Sequence, residues 1–469
     1  MHFFRLLPYL LAFLFLALPS CGGGETSVEE RMDALRDKDF EVADYWQDFD
    51  GIAAGIRSLI KAESGVDLRD VDIRLADRDE MADAFVSNVS PQLDLLGEEM
   101  VDHVILAQQI KIALLGIYDI SEKEILICQE NFPFLAEFVA MPDLDSLDAM
   151  KAVLIHEASH AVADLNWDLA ASMKDLEDAN HLAGLSAVIE GYAQYLARKI
   201  CTQEGLVEGF ETFTAAVGAT PETDNEMEKL VLEAATANVS FQYYDGEDFV
   251  RAIVEAKGEE AIAGLFADPP LDHAYVSHPD WYLDPSIAER GSMDLESFLD
   301  LFENEFAGSA SGNQVEMNSP TFRAAMSPLP AEDIDAIEEL VLANRINAIV
   351  EGGGAQMQAM VLYECRSSVD AATMAGYSER LLRARDEAFK EGSTRITEAL
   401  YEDFEAGPWE GMRVDKTMKM GRQEIVATTF ILQYSNLSSE LSFIGHDVDV
   451  DEIREYYADL TEAAFPEKK

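Results

Sequence analysis

Residues 145–162 read DSLDAMKAVLIHEASHAV, a stretch that carries both a helix and a chemical motif. Asp145-Ser146 supplies a helix start, because short polar side chains accept from the first unpaired N–H groups. Met150, Val153, Leu154, Ala158, Ala161 and Val162 then recur as one apolar stripe, which gives the helix a face to bury. His156-Glu157-x-x-His160 falls inside this helix rather than in a loop. Positions four apart stand one turn above each other, so both imidazoles can reach one ion. Two neutral imidazoles suit zinc. Glu157 projects in another direction, where its carboxylate can take a proton from a water whose pKa zinc lowers to about 7.

A catalytic zinc needs a third protein ligand and a position open to water. Ala187-Val188-Ile189-Glu190-Gly191-Tyr192-Ala193 offers that ligand, with Glu190 placed 30 residues after His160, enough for a loop and a return along a second helix. Leu182, Leu185, Val188 and Ile189 lead up to it and would bury the carboxylate. Burying an unpaired carboxylate is costly, whereas one bound to a metal is compensated. The competing reading is a solvated helix glutamate.

These residues resemble a known family. His156-Glu157-x-x-His160 followed by Glu190 on a later helix resembles the gluzincins, the thermolysin-like zinc peptidases. Five segments are more closely similar to a bacterial family of exported zinc metallopeptidases: GIYDISEKEILI (116–127), HEASHAVADLNWDL (156–169), AVIEGYAQYL (187–196), YYDGEDFVRAIVEAKGEEAIAGLFADPP (243–270) and SHPDWYL (277–283). The resemblance implies a zincin-like catalytic fold, Zn2+ as cofactor and a peptide or protein substrate. It makes 116–127 an edge strand beside the cleft, to which an extended peptide could add. It also implies that Asp164 and Asp168 support the metal ligands from behind, with Asp164 placed to orient an imidazole, and that His278 or Tyr244, with Tyr192 competing, donates to the developing oxyanion. Ordinary packing or helix-end roles compete with each of these assignments. The chain departs from the family pattern at Asp272-His273-Ala274-Tyr275, where a small polar run with Glu and Gln is usual.

The rest of the chain bounds these readings. Among 469 residues, 90 are acidic and 34 are Lys or Arg, a net charge of −56 that argues against a nucleic-acid partner. Residues 1–20 combine one Arg with an apolar run that is short for a membrane span, as in an export signal. Leu18-Pro19-Ser20-Cys21 resembles a lipobox, which makes Cys21 the lipidation site and the membrane a partner through an N-terminal lipid anchor at the cell envelope. Gly22-Gly23-Gly24 follows as a tether within 21–30. Cys128, Cys201 and Cys365 are far apart, without CxxC spacing, and allow at most one intramolecular disulfide.

The expected architecture is α+β: a helix-rich zincin-like domain over 31–306 with a small mixed sheet, then a linker over 307–320. A C-terminal region over 321–469 is helical and ends in a small α/β unit. Helices are expected at 80–89, 91–114, 178–200, 245–266, 332–350, 367–390 and 449–461, and strands at 71–75, 412–419, 424–434 and 439–444. The leading function is a zinc metallopeptidase. Its rivals are a catalytically inactive zincin-fold lipoprotein used for binding or assembly, and a zinc hydrolase of another amide.

Overall fold

A computed structural model describes residues 31–466 except 33, 36, 37, 39, 94–110, 174–178, 220, 222–235, 237, 238, 271, 272, 289, 290, 307–312, 316, 318–321, 324, 327, 352–355, 389–393, 421 and 422. The leader, Cys21, the tether and most of the helix expected over 91–114 lie outside the described residues. No helix among the described residues is long and apolar enough to cross a membrane. The chain is mixed α+β, and its described residues divide into two compact units between Ile287 and Ala288.

The first unit contains α1 (Phe49–Ser64), β1 (Asp72–Leu75), α2 (Arg78–Leu93), β2 (Gly116–Asp119), β3 (Glu124–Ile127), α3 (Asn131–Phe138), α4 (Leu147–Trp167), α5 (Ala179–Glu204), α6 (Val207–Val217) and α7 (Gly246–Lys257). Its three strands form a mixed sheet in the order β1-β3-β2, with β1 parallel and β2 antiparallel to β3. The 116–127 segment forms a hairpin, with β2 on the edge of the sheet. Asp119 organises its turn by accepting from the N–H groups of Ser121 and Glu122, and Lys123 takes a left-handed φ of 55°.

α4 begins where the sequence places it, with the Ser146 hydroxyl accepting from the Ala149 N–H, and it ends at Asp168 in the left-handed region. Nearly every residue from Ala149 to Asp164 is buried, so the helix is a core element rather than a surface one. α5 packs on α4 and on α7. The α5–α7 approach is backbone against backbone: a Cβ on Gly191 would lie 2.2 Å from the carbonyl carbon and oxygen of Gly246. The buried Glu247 of α7 pairs with Arg198 of α5 close by, fixing the rotation of both helices. The helix expected over 245–266 is interrupted. A π-turn spans Phe241–Asp245, α7 stops at Gly258 with φ 88°, and a separate helix covers Ile262–Ala267.

The second unit contains α8 (Leu295–Phe306), β4 (Asn313–Val315), α9 (Ala331–Leu340), β5 (Val341–Glu351), β6 (Gln356–Cys365), α10 (Ser368–Ala388), β7 (Thr394–Ala406), β8 (Trp409–Met420), β9 (Gln423–Tyr434), β10 (Leu437–Ile444) and α11 (Val450–Ala464). The seven strands form one antiparallel sheet ordered β4-β5-β6-β10-β9-β8-β7. Strand alternation sends Met360 and Leu362 to the face covered by α8 and α11, and Val361, Tyr363 and Cys365 to the face covered by α9 and α10.

Three expectations change here. The 332–350 helix ends at Leu340, because Val341, Ile346, Ile349 and Val350 pair along β6 as β-branched strand residues do. The sheet is larger than a small α/β unit. The boundary between units precedes 307–320, since Leu295, Phe298, Leu299 and Phe302 of α8 belong to the second core and β4 falls within the expected linker. Cys128, Cys201 and Cys365 are all free and buried, and burial raises their thiols to about 11, 12 and 12.

Candidate metal centre

α4 and α5 bring His156, His160 and Glu190 together in the core of the first unit. The three side chains are 0–3% exposed. The two Nε2 atoms lie 3.0 Å apart, and Oε2 of Glu190 lies 3.4 Å from that of His156 and 3.5 Å from that of His160. Zinc bonds of about 2.0–2.2 Å space the ligands of a tetrahedral ion about 3.3–3.5 Å apart. The two imidazoles and the carboxylate therefore stand close to the corners of one tetrahedral face. Three donors of this kind within 4.8 Å of one another could hold a metal ion.

The surroundings of His156 favour the neutral imidazole, the form that ligates. Burial pushes His156 below its ordinary pKa, opposed by Glu190. Its ring is stacked on Tyr243 at 5.4 Å and 15°, and Phe213 meets it edge-on at 5.3 Å. The imidazoles lie edge-to-face at 4.6 Å. Neither Nδ1 has a hydrogen-bond partner among the described residues.

Glu157 is 6% exposed, and its Oε2 accepts from the Tyr118 N–H of β2 at 2.9 Å. Its charge also acts on His156. The strand can approach this closely because residue 116 is glycine: a Cβ there would lie 2.8 Å from Cγ of Glu157 and 3.0 Å from Cγ1 of Val153. A side chain at Gly116 would thus displace the carboxylate it sits against.

No protein-family model matches the chain, and no curated protein matches it. Among solved structures, a protein of Chloroflexus aurantiacus described as a candidate hydrolase with a novel fold aligns over 55% of this chain and 96% of its own. The identity is 16% and the TM-score 0.37. What the chain does is therefore read from the site itself.

The remaining expected residues occupy other places. Asp164 is buried one turn beyond His160, but its carboxylate accepts from the Tyr118 hydroxyl at 2.8 Å, the Lys123 ammonium at 3.1 Å and the Leu169 N–H at 3.1 Å. It ties the hairpin to the end of α4 rather than bonding to an imidazole nitrogen. Asp168 is exposed and caps the short helix Leu169–Ser172 by accepting from Ala171. Tyr244 is 38% exposed and donates to the Thr214 carbonyl at 2.8 Å. Its neighbour Tyr243 is the tyrosine that meets His156. The π-turn of Phe241–Asp245 changes the helical phase at this point, and the sequence carries no signal for such a turn. Tyr192 packs against Trp167 and Phe266. His278 is exposed and stacks on Trp281 at 4.2 Å.

Sequence reasoning did not single out Tyr118, Tyr243, Phe213 or Asn88 as site residues. Asn88 of α2 is 6% exposed, donates to the Tyr118 carbonyl at 2.8 Å and accepts from the Ile120 N–H at 3.1 Å.

Proposed function

We propose that this chain is a zinc-dependent metallopeptidase, with His156, His160 and Glu190 as metal ligands and Glu157 as general base. The observation that carries the reading is the spacing of the three donor atoms, with the buried Glu157 one residue from the first ligand. Zinc, when held there, supplies a Lewis acid for the scissile carbonyl and a water that loses its proton near neutral pH. The protein's own residues do the rest. Glu157 takes the proton from water and returns it to the leaving amine. The Tyr118 N–H fixes which way that carboxylate faces. Tyr243 and Phe213 hold the His156 ring and keep bulk water from it.

The gluzincin resemblance of the HExxH helix and its downstream glutamate supports a peptide substrate. The apolar leader and the LPSC segment support export and anchoring through a lipid on Cys21 at the cell envelope. The strongly acidic composition speaks against nucleic acid as a partner.

The test is metal content together with turnover. The purified protein is expected to hold one zinc per chain. Glu157→Gln should retain the metal while losing about 10²–10⁴-fold in peptide hydrolysis, the span a positioned base contributes. A metal-free protein, or a Glu157→Gln protein as active as the parent, would overturn the assignment.

A further inference from the structure

β2 ends its sheet, yet its outer edge is already engaged. Along a strand, alternate residues turn their backbone groups to opposite sides. In β2 the outward set is Gly116, Tyr118 and, just beyond the strand, Ile120. The Tyr118 N–H is held by Glu157 at 2.9 Å. The Tyr118 carbonyl accepts from Asn88 Nδ2 at 2.8 Å, and the Ile120 N–H donates to Asn88 Oδ1 at 3.1 Å.

A donor to residue i and an acceptor from residue i+2 is what one residue of a neighbouring parallel strand would provide. The Asn88 amide thus stands in for a residue of an added chain. Among the described residues, Gly116 is the one outward-facing position of β2 not engaged in this way.

An extended peptide running along β2 would have to displace both Asn88 and Glu157. Both are buried, so each displaced group would have to find a new partner or bear its desolvation, which is costly. A substrate that makes no backbone pairing along β2 displaces neither. This bears on the expected strand addition over 116–127, because the partner groups such a peptide needs are taken.

We infer that the site takes short peptides or the end of a chain rather than a strand passing through it, and that Asn88 sets this preference by occupying the edge. The inference rests on the metallopeptidase reading. Asn88 acts as a specificity residue and has no part in the proton transfers.

The experiment compares two classes of probe on the zinc-loaded full chain: di- and tripeptides with free ends, and a long peptide blocked at both ends. The parent is expected to cleave the first class and to cleave the second at least about tenfold less efficiently in kcat/KM. Asn88→Ala frees one carbonyl and one N–H of the edge, so the ratio should move at least about fivefold toward the blocked peptide.

A parent protein that cuts the blocked peptide internally as well as the short ones overturns the inference and leaves the metallopeptidase reading in place. Zinc-loaded protein that cuts neither class overturns both. An Asn88→Ala protein that cleaves peptides with an unchanged ratio removes Asn88 from the account. Should Asn88→Ala fail to fold, the parent's preference between the two classes still decides whether the edge is closed.

Discussion

In the first unit His156, His160 and Glu190 turn three electron-pair donors toward one another, whereas in the second unit the buried Asp386 and Lys416 meet as carboxylate and ammonium. Asp386 accepts from Lys416 and Tyr401, Glu440 accepts from Ser378 and Tyr363, and Arg385 donates to the Ala325 carbonyl at 2.6 Å. The clusters are alike in burial: Asp386 and Lys416 are 7% and 8% exposed, and the metal-centre groups are no more exposed than that. They differ in matching. A hydrogen-bond donor facing an acceptor closes on itself and acts as structure, whereas converging electron-pair donors could hold a cation. Burial of charge alone therefore does not mark a functional site. What sets the first unit's cluster apart is that one ligating atom from each of three residues lies within 4.8 Å of the others, as a bound metal ion would require.

Breaking the closed cluster should give the larger effect on stability. Asp386→Ala leaves the Lys416 ammonium buried, where desolvation already lowers its pKa. It is expected to cost about 3–5 kcal/mol in denaturant unfolding with no change in zinc content. Replacing both partners, Asp386→Leu with Lys416→Met, should cost much less, since no unpaired charge remains. A double variant as unstable as the single one would show that the pair does more than neutralise itself.

The open cluster should respond to its missing partner instead. Zinc added to metal-free protein at a free concentration 100 times its Kd should stabilise the first unit by about 2.7 kcal/mol. His160→Ala should abolish that gain while leaving the second unit's unfolding unchanged. A His160→Ala protein with the same zinc-dependent shift would place the metal elsewhere and dissolve the contrast between the clusters.

How much of this was legible in the sequence follows from the range over which each feature is determined. His156, Glu157 and His160 are fixed by spacing along one helix, and the Ser146 start and apolar stripe are equally local. Glu190 was found because apolar residues lead to a lone carboxylate on a later helix. Tyr118 and Asn88 were not found as site residues. Their roles depend on hydrogen bonds from a side chain to a backbone group 30 or 39 residues away, and no local pattern encodes that pairing. Tyr243 stacks on His156 from the π-turn of Phe241–Asp245, and no local sequence pattern marks such a turn. In the second unit, β6 and β7 carry Glu, Ala, Leu and Met, which read as helical in isolation. Cross-strand pairing and packing overrode that local preference.

The smallest expected effect tests the tie between the hairpin and the metal helix. Burial, and then the Asp164 carboxylate, push the Tyr118 hydroxyl well above its ordinary pKa. Such a tyrosine holds its proton more tightly folded than unfolded, so its contribution to stability is complete below pH 10 and is lost as the pH rises above that value. Above pH 10 this group alone should lower the parent's stability by at most about 1.4 kcal/mol per pH unit. Tyr118→Phe keeps the backbone N–H that holds Glu157 and removes only the hydroxyl bonded to Asp164. At pH 8 the variant should be less stable by about 1.5–3 kcal/mol, the range for a hydrogen bond to a charged group. The gap should then narrow between pH 10 and 11, because the variant lacks the titrating proton. If the two unfolding curves stay a constant distance apart across that interval, the Tyr118 hydroxyl titrates alike folded and unfolded. The link from the hairpin to α4 would then run through the Glu157 hydrogen bond and the Lys123–Asp164 pair.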